Sequence, residues 1–415
     1  MQLGPITLMK TRTFAEVLSK QTLLWEEHSK LTNELGVGGT THSFMHYPWN
    51  AATAPTVILD ADQANTKHKE AVSRVIDAYG LACREQIDAA PSMWTDLEAS
   101  NGEFVNALKK GDFEQLSQTF SRLFQSKAIV GLGKFDETLV NDVRMNNEKS
   151  HLQLRITDAL VSLGQAIGVL QVTSVEQQGV EPQLKILEVD LTKLLHEIES
   201  RIGFKLDSPK IGSTYGCMVE DRFITLDGII NAYVAHRLIQ LGLSKSSSLV
   251  EIGGGFGSLA EIIYRALGCP YFLYDLPWVA AIQGYFLIMA LPAGTVRLLG
   301  ETNGTVQVLP FWRFADWPER SIDYLVNSDS LPEMGFDTAS DYIHKISNKL
   351  RGLFLSINQE AMAKNSNVGQ QNCVNAMIRS TTNLRLVSRS IYWMRQGYVE
   401  EVFSGTNATK EQNAS

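Results

Sequence analysis

Residues 248–277 read SLVEIGGGFGSLAEIIYRALGCPYFLYDLP. An apolar run, Leu249 to Ile252, meets a glycine cluster. Ser258 to Leu267 then has apolar residues at helical spacing, and Tyr271 to Asp275 is a second apolar run ending in an acid. The order is strand, tight loop, helix, strand. Loops of this kind sit at the top of a first strand and take nucleotide-like ligands.

The glycine spacing narrows the ligand. A dinucleotide fingerprint requires G-x-G-x-x-G, but the sixth position counted from Gly253 is Ser258. A phosphate loop requires Gly-Lys-Ser/Thr, which does not follow. What stands here is Gly253, Gly255 and Gly257 at alternate positions, with Glu251 just before them. A carboxylate there repels a pyrophosphate and suits a ligand with an ammonium group, such as the methionine part of S-adenosylmethionine (SAM). Asp275 ends the second strand, where an acid accepts ribose hydroxyls. Leu276 follows it, and Asn327 ends a later strand. Both join Glu251, Gly253, Gly255, Gly257 and Asp275 as expected cofactor-binding residues. NAD or FAD, and a Gly-rich structural turn, are the alternatives.

The rest of the chain supports an α/β fold. After residue 205, strands alternate with helices: Ile224 to Leu241 (helix), the two strands above, Val279 to Leu291 (helix), then strands at Val296, Val306, Ile322 to Asn327 and Leu353 to Asn358, with a helix over Asp337 to Arg351. Such alternation implies a mostly parallel sheet covered on both faces. Before residue 205 the pattern is helical, with segments at 13–35, 65–87, 102–127, 148–172 and 182–202. The expected division is an α-helical domain over 1–205, acting as a lid or in dimerisation, a sheet domain over 206–404, and a disordered tail over 405–415.

Composition excludes several classes. The 415 residues carry a net charge of -8, so no basic surface argues for nucleic acid. Hydrophobic residues make up 44% and charged residues 20%, ordinary for a soluble globular chain, and no apolar run is long enough to span a bilayer. The N-terminus has no basic-then-apolar signal pattern. The four cysteines are far apart without a C-x-x-C pair, which reads as free thiols in a reducing cytoplasm.

In open α/β sheets the ligand lies beyond the carboxyl ends of the strands. After the fourth strand comes Asn327-Ser-Asp-Ser-Leu-Pro-Glu333, with Asp329 and Glu333 four residues apart. Transfer of a methyl group to a hydroxyl requires alignment of the acceptor and removal of its proton. Asp329 and Glu333 are candidates for the base or for Mg2+ ligands; a turn residue and a helix cap are the structural alternatives. His344, on the following helix, is a third catalytic candidate, with a solvated surface histidine as its alternative. Tyr215, Glu360, Arg395 and Tyr398 are candidates to face the acceptor; for Arg395 and Tyr398 a salt bridge and a core aromatic are equal alternatives. His236 reads as structural, and His42, His46, Tyr47 and Trp49 as a possible lid or an interdomain contact.

At these residues the chain resembles a family. The stretch from Val250 to Ile262, followed by Tyr274 to Leu287, looks like the cofactor site of small-molecule O-methyltransferases. Plant-type members place a catalytic histidine just after the fourth strand; here that region is NSDSLPEMG (327–335), which has none. The closer resemblance is to bacterial sugar O-methyltransferases of polyketide and surface-polysaccharide pathways. It rests on Glu251 to Gly257, Asp275 to Pro277 with Tyr285 to Leu287, Asn327 with Ser330, Glu333 and Met334, Ser356 to Ala361, and Gly397 to Glu401, over residues 205–403. The resemblance implies a seven-stranded class I SAM-methyltransferase sheet, methylation of a sugar hydroxyl on a natural product or surface glycan, and SAM as cofactor; a cytoplasmic homodimer is the expectation for the chain as a whole. A non-sugar polyketide or peptide acceptor is one alternative, and a non-catalytic assembly partner with a vestigial SAM site another.

Overall fold

The computed structural model describes residues 55–85, 93–132, 137–146, 151–172, 189–360, 364–365 and 369–405. Contacts divide the chain into residues 1–42 and 43–415, and the description below concerns the second unit alone. His42, His46, Tyr47 and Trp49 lie outside the described residues, as does the tail from 406 onward.

Eight strands form the main sheet: β4 (Leu249–Ile252), β5 (Tyr271–Asp275), β6 (Val296–Arg297), β7 (Val306–Pro310), β8 (Ile322–Ser328), β9 (Leu350–Gln359), β12 (Arg385–Ile391) and β13 (Tyr398–Ser404). A two-residue pair, β10 (Lys364–Asn365) and β11 (Gly369–Gln370), stands apart. The order across the main sheet is β12-β13-β9-β8-β4-β5-β7-β6. β13 runs antiparallel to both its neighbours, and the six strands from β9 to β6 are parallel. The chain starts in the middle at β4, builds outward through β5 to β7, then returns to β8 and builds the other way. With the short β6 set aside, this is the seven-stranded Rossmann-like sheet of class I methyltransferases. Its direction reverses between β4 and β8, and that crevice is where such sheets bind ligands.

Both faces are covered, so β4 is buried at every residue. Leu249, Leu273, Val326 and Leu355 join one core. Their neighbours Val250, Ile252, Leu325 and Phe354 join the other. The two-residue alternation thus divides the strands cleanly between layers. The second core is closed by α11 (Phe336–Lys349) and α12 (Val374–Thr381).

The first core extends without a break across residue 205. Its helices include α1 (Thr66–Glu85), α2 (Met93–Ser100), α3 (Gly102–Lys110), α4 (Phe113–Ser121), α5 (Glu137–Met145), α6 (His151–Ala166) and α7 (Leu191–Ile202). α8 (Leu226–Gln240), α9 (Ser258–Ala266) and α10 (Pro277–Ala290) lie in the later half, and α1 packs directly on α10. The helix expected over 102–127 is two helices. Gly111 takes φ +65, a left-handed conformation suited to glycine, and Asp112 caps the second by accepting from the Gln115 N–H. A small antiparallel sheet joins β1 (Thr56–Ile58), β2 (Tyr215–Val219) and β3 (Arg222–Ile224), tying the helical half to the start of the sheet half.

Candidate functional site

The glycine loop lies at the reversal point. Gly253, Gly255 and Gly257 have φ of 70, 56 and 99, where side chains with a Cβ are strained. Gly257 leads into α9 and Pro277 opens α10, its ring preset for a first helical turn. A Cβ on Gly253 would collide with the Ser330 side chain, and one on Gly254 with Glu251 and Leu273. Over Gly255 the nearest atom to such a Cβ is the Leu132 carbonyl at 3.8 Å, so this glycine faces open room.

Beneath the loop lie two acids. Glu251 is 4% exposed and accepts from the Tyr271 hydroxyl at 2.6 Å. Burial pushes its carboxyl up to about 7, with the Tyr271 bond working against the shift and the Asp275 charge adding to it. Asp275 accepts from its neighbour Leu276 N–H at 2.8 Å and from Gln283 Nε2 at 2.7 Å. Burial pushes Asp275 up to about 7, against its hydrogen bonds from Leu276, Gln283 and Gly254. Gln283 also donates to the Gly255 carbonyl at 2.9 Å, so α10 grips the loop and the acid together. The Gln283 Oε1 atom is buried without a partner. Open room over Gly255, an unpartnered buried oxygen and two acids that a nearby cation would ionise fit SAM.

Asn327 has a different setting. It is fully buried, and its amide donates to the Ile252 carbonyl at 2.9 Å and to Ser330 Oγ at 2.5 Å. Ser330 donates to the same carbonyl at 3.0 Å, and Asn358 donates to Asn327 Oδ1 at 3.1 Å and to Ser356 at 2.8 Å. This ladder locks the ends of β4, β8 and β9 and seats Ser330 against Gly253. The N-x-x-S and S-I-N motifs are one latch read at two places in the chain.

Four sequence-chosen residues meet beyond β8. Asp329 has φ +66, and its backbone N–H donates to the Ile357 carbonyl and to Asn358 Oδ1, both at 3.0 Å. Its two carboxylate oxygens accept from Arg395 Nη1 and the Tyr398 hydroxyl, each at 2.6 Å. The Arg395 guanidinium stacks 4.1 Å from the Tyr398 ring centroid. Glu333 stands beside this group. Burial pushes its carboxyl up to about 8, helped by the Asp329 charge and opposed by Arg395 and by a hydrogen bond from Trp94. With both oxygens engaged, Asp329 is placed to orient Arg395 and Tyr398, while Glu333, once it ionises around pH 8, is the group able to take a proton.

The other candidates are placed elsewhere. His344 is exposed on α11 and shares no hydrogen bond with this cluster among the described residues. Glu360 pairs with Arg389 at 2.6 Å on the surface, at the exposed edge strand β12. Tyr215 is buried in the small sheet. His236 lies in α8, and burial lowers its pKa, aided by Arg201 and Arg237. Mg2+ does not fit at Asp329 and Glu333. The Asp329 oxygens already accept from a guanidinium and a phenol hydroxyl, and the described residues contain no group of three or more His, Cys, Asp or Glu able to hold a metal.

Trp94 was not found from the sequence. It stands in α2, far from every motif, and an aromatic at helical spacing reads as core. The two glutamates of the Gly397–Glu401 motif are structural. Glu400 accepts from Tyr233 at 2.7 Å and Arg237 at 2.6 Å, and Glu401, one residue on and so on the opposite face, accepts from Arg389 and Asn375.

No helix among the described residues is long and apolar enough to cross a membrane. No protein-family model matches the chain, and no curated protein does. Among solved structures, it is similar to a magnesium protoporphyrin IX methyltransferase from Synechocystis with bound SAM: 14% identity over 42% of this chain and 76% of that one, TM-score 0.32. It is similar at 12% identity to a geranyl diphosphate C-methyltransferase from Streptomyces coelicolor, in complex with Mg2+, geranyl-S-thiolodiphosphate and S-adenosylhomocysteine, over 41% of this chain and 74% of that one, TM-score 0.32. The fold assignment rests on the strand order, and these likenesses add nothing to it.

Proposed function

We propose that this chain is a SAM-dependent O-methyltransferase whose acceptor is a sugar hydroxyl on a natural product or surface glycan. The observation that carries the reading is the pairing of two arrangements at the reversal point. A strained glycine loop sits over a buried glutamate and a half-buried aspartate, and a carboxyl held near pH 8 stands at the tip of the adjoining strand. SAM, when bound, supplies a methyl group on a positively charged sulfur. Gly253, Gly255 and Gly257 let the backbone come close to it, and Glu251 and Asp275 supply compensating negative charge. Leu276 lies at the same strand end, and Asn327 holds the loop's floor in place. Glu333 takes the acceptor proton, Asp329 orients Arg395 and Tyr398, and the Tyr398 oxygen accepts a hydrogen bond from the acceptor. The choice of oxygen follows from Glu333, because a hydroxyl needs a base of this strength. The choice of sugar follows from the motif resemblance.

Titration calorimetry with SAM tests the cofactor, and absence of binding sinks the enzyme reading in favour of an assembly partner. Transfer of labelled methyl from SAM to paired acceptors, each a glycoside and its aglycone, tests the substrate. Equal labelling of the aglycones would favour a non-sugar acceptor.

A further inference from the structure

The helical half contributes a side chain to the acid cluster. Trp94 is half-buried, and its indole N–H donates to the Glu333 carboxyl. Its ring centroid lies 6.1 Å from that of Trp278, tilted by 43°. Gly131 has φ 84, and a Cβ there would meet the Trp94 ring edge at 3.6 Å. The indole is thus held on one edge by a carboxyl and on its flank by a second tryptophan. Trp278 is 1% exposed, and its Nε1 has no hydrogen-bond partner. Such a buried N–H is unfavourable when left unmade, and a ligand oxygen would satisfy it.

The polar rim carries little net charge. Asp329 is paired with Arg395, and Glu333 holds its proton at neutral pH. No cation in the cluster is left over for an anionic acceptor. An indole face is electron-rich, and one face of a sugar ring presents C–H bonds to it. The hydroxyls around that ring need polar partners at the edge, which Glu333, Tyr398 and the Trp278 N–H supply.

We propose that Trp94 is the specificity-determining residue of the acceptor site, a platform on which a neutral sugar ring stacks while one ring hydroxyl points at Glu333. The inference rests on the reading of the chain as a hydroxyl methyltransferase and names the part of the acceptor it grips. Saturation-transfer NMR on the full chain, with methyl β-D-glucopyranoside and its charged counterpart methyl β-D-glucuronide as probes, tests it. The glucoside should be saturated by wild-type protein and by Trp94→Phe, which keeps a ring. Trp94→Leu should weaken its binding about tenfold, and the glucuronide should bind more weakly than the glucoside. Binding by Trp94→Leu equal to wild type, equal or tighter binding of the glucuronide, or no saturation of the glucoside by wild type would overturn the proposal. The indole bond lowers the Glu333 pKa, so Trp94→Phe should also raise the acid limb of the pH–rate profile; an unmoved limb counts against the assignment. SAM affinity, measured on the same samples, separates the readings. Its absence in wild type sinks the methyltransferase, whereas its retention in Trp94→Leu alongside lost glucoside binding supports the platform.

Discussion

Replacing Glu251 with glutamine should make the protein's stability less sensitive to pH. The carboxyl titrates at 4.5 ordinarily and at about 7 in the fold, where it is fully buried. Each tenfold change in proton affinity is worth about 1.4 kcal/mol, so folding with Glu251 ionised costs roughly 3 kcal/mol more than folding with it protonated. The folded state binds this proton more tightly than the unfolded state. The contribution is therefore fully present below pH 4.5, declines as pH rises toward 7, and is gone above it. Glutamine does not titrate, yet its amide oxygen can still accept from Tyr271. Urea unfolding of both proteins at acid and mildly alkaline pH gives the two stability differences, and other titrating groups largely cancel between them. The Glu251→Gln protein should gain on wild type by roughly 3 kcal/mol across that range. A difference that stays constant with pH would refute the reasoning, because Glu251 would then ionise as freely in the fold as outside it. The same ionisation predicts that SAM binds wild type more tightly as pH rises through 7, and that Glu251→Gln loses much of this trend.

Gly253→Ala should destabilise the chain by about 1–3 kcal/mol in urea unfolding and abolish SAM binding, since it strains a left-handed backbone and displaces Ser330 from the latch. Glu333→Gln should lower kcat by about 10²–10⁴ in a methyl-transfer assay with SAM affinity unchanged, and full activity would remove it as the base. In wild type the rate should rise with pH through about 8 as Glu333 ionises. Asp329→Asn removes a charge that holds this pKa up, so the rise should move to lower pH.

The sheet was legible because its signals are local. Each parallel strand is a short apolar run closed by a turn residue, and β4 and β5 bracket a glycine pattern that few ligands share. The edge was not. β12 (RLVSRSI) is exposed at every residue, so it has no apolar face to betray it. β2 and β3 are short, and β2 pairs with β1, more than 150 residues earlier in the chain, which no local window contains. In the site, Asp329, Glu333, Arg395 and Tyr398 were chosen from positions near strand ends, and they do converge. The division of labour among them was hidden, because it depends on which oxygen meets which donor. Asn327 and Glu360 carry the same chemistry in sequence as a ligand-binding amide and acid, and only partners such as Ser330 and Arg389 tell a latch or a surface pair from a binding residue.

Those partners also explain why the glycine loop and the acid cluster occur together. Ser330 follows Asp329 directly and packs where a Gly253 Cβ would stand. Asn358 bonds both Asn327 and the Asp329 backbone, so one amide sets the floor of the loop and the φ +66 turn that presents the Asp329 carboxylate. A buried hydrogen-bonded network of this kind has few alternative arrangements, since each group left unpaired costs about 1–3 kcal/mol. The glycine loop and the Asp329 cluster are therefore physically joined and not merely adjacent. Both are held by one latch between β4, β8 and β9, with Ser330 seated against Gly253 and Asn358 bonded to Asn327 and to the Asp329 backbone. On the proposed function, in-line methyl transfer depends on holding donor and acceptor in fixed register, and this latch would set it.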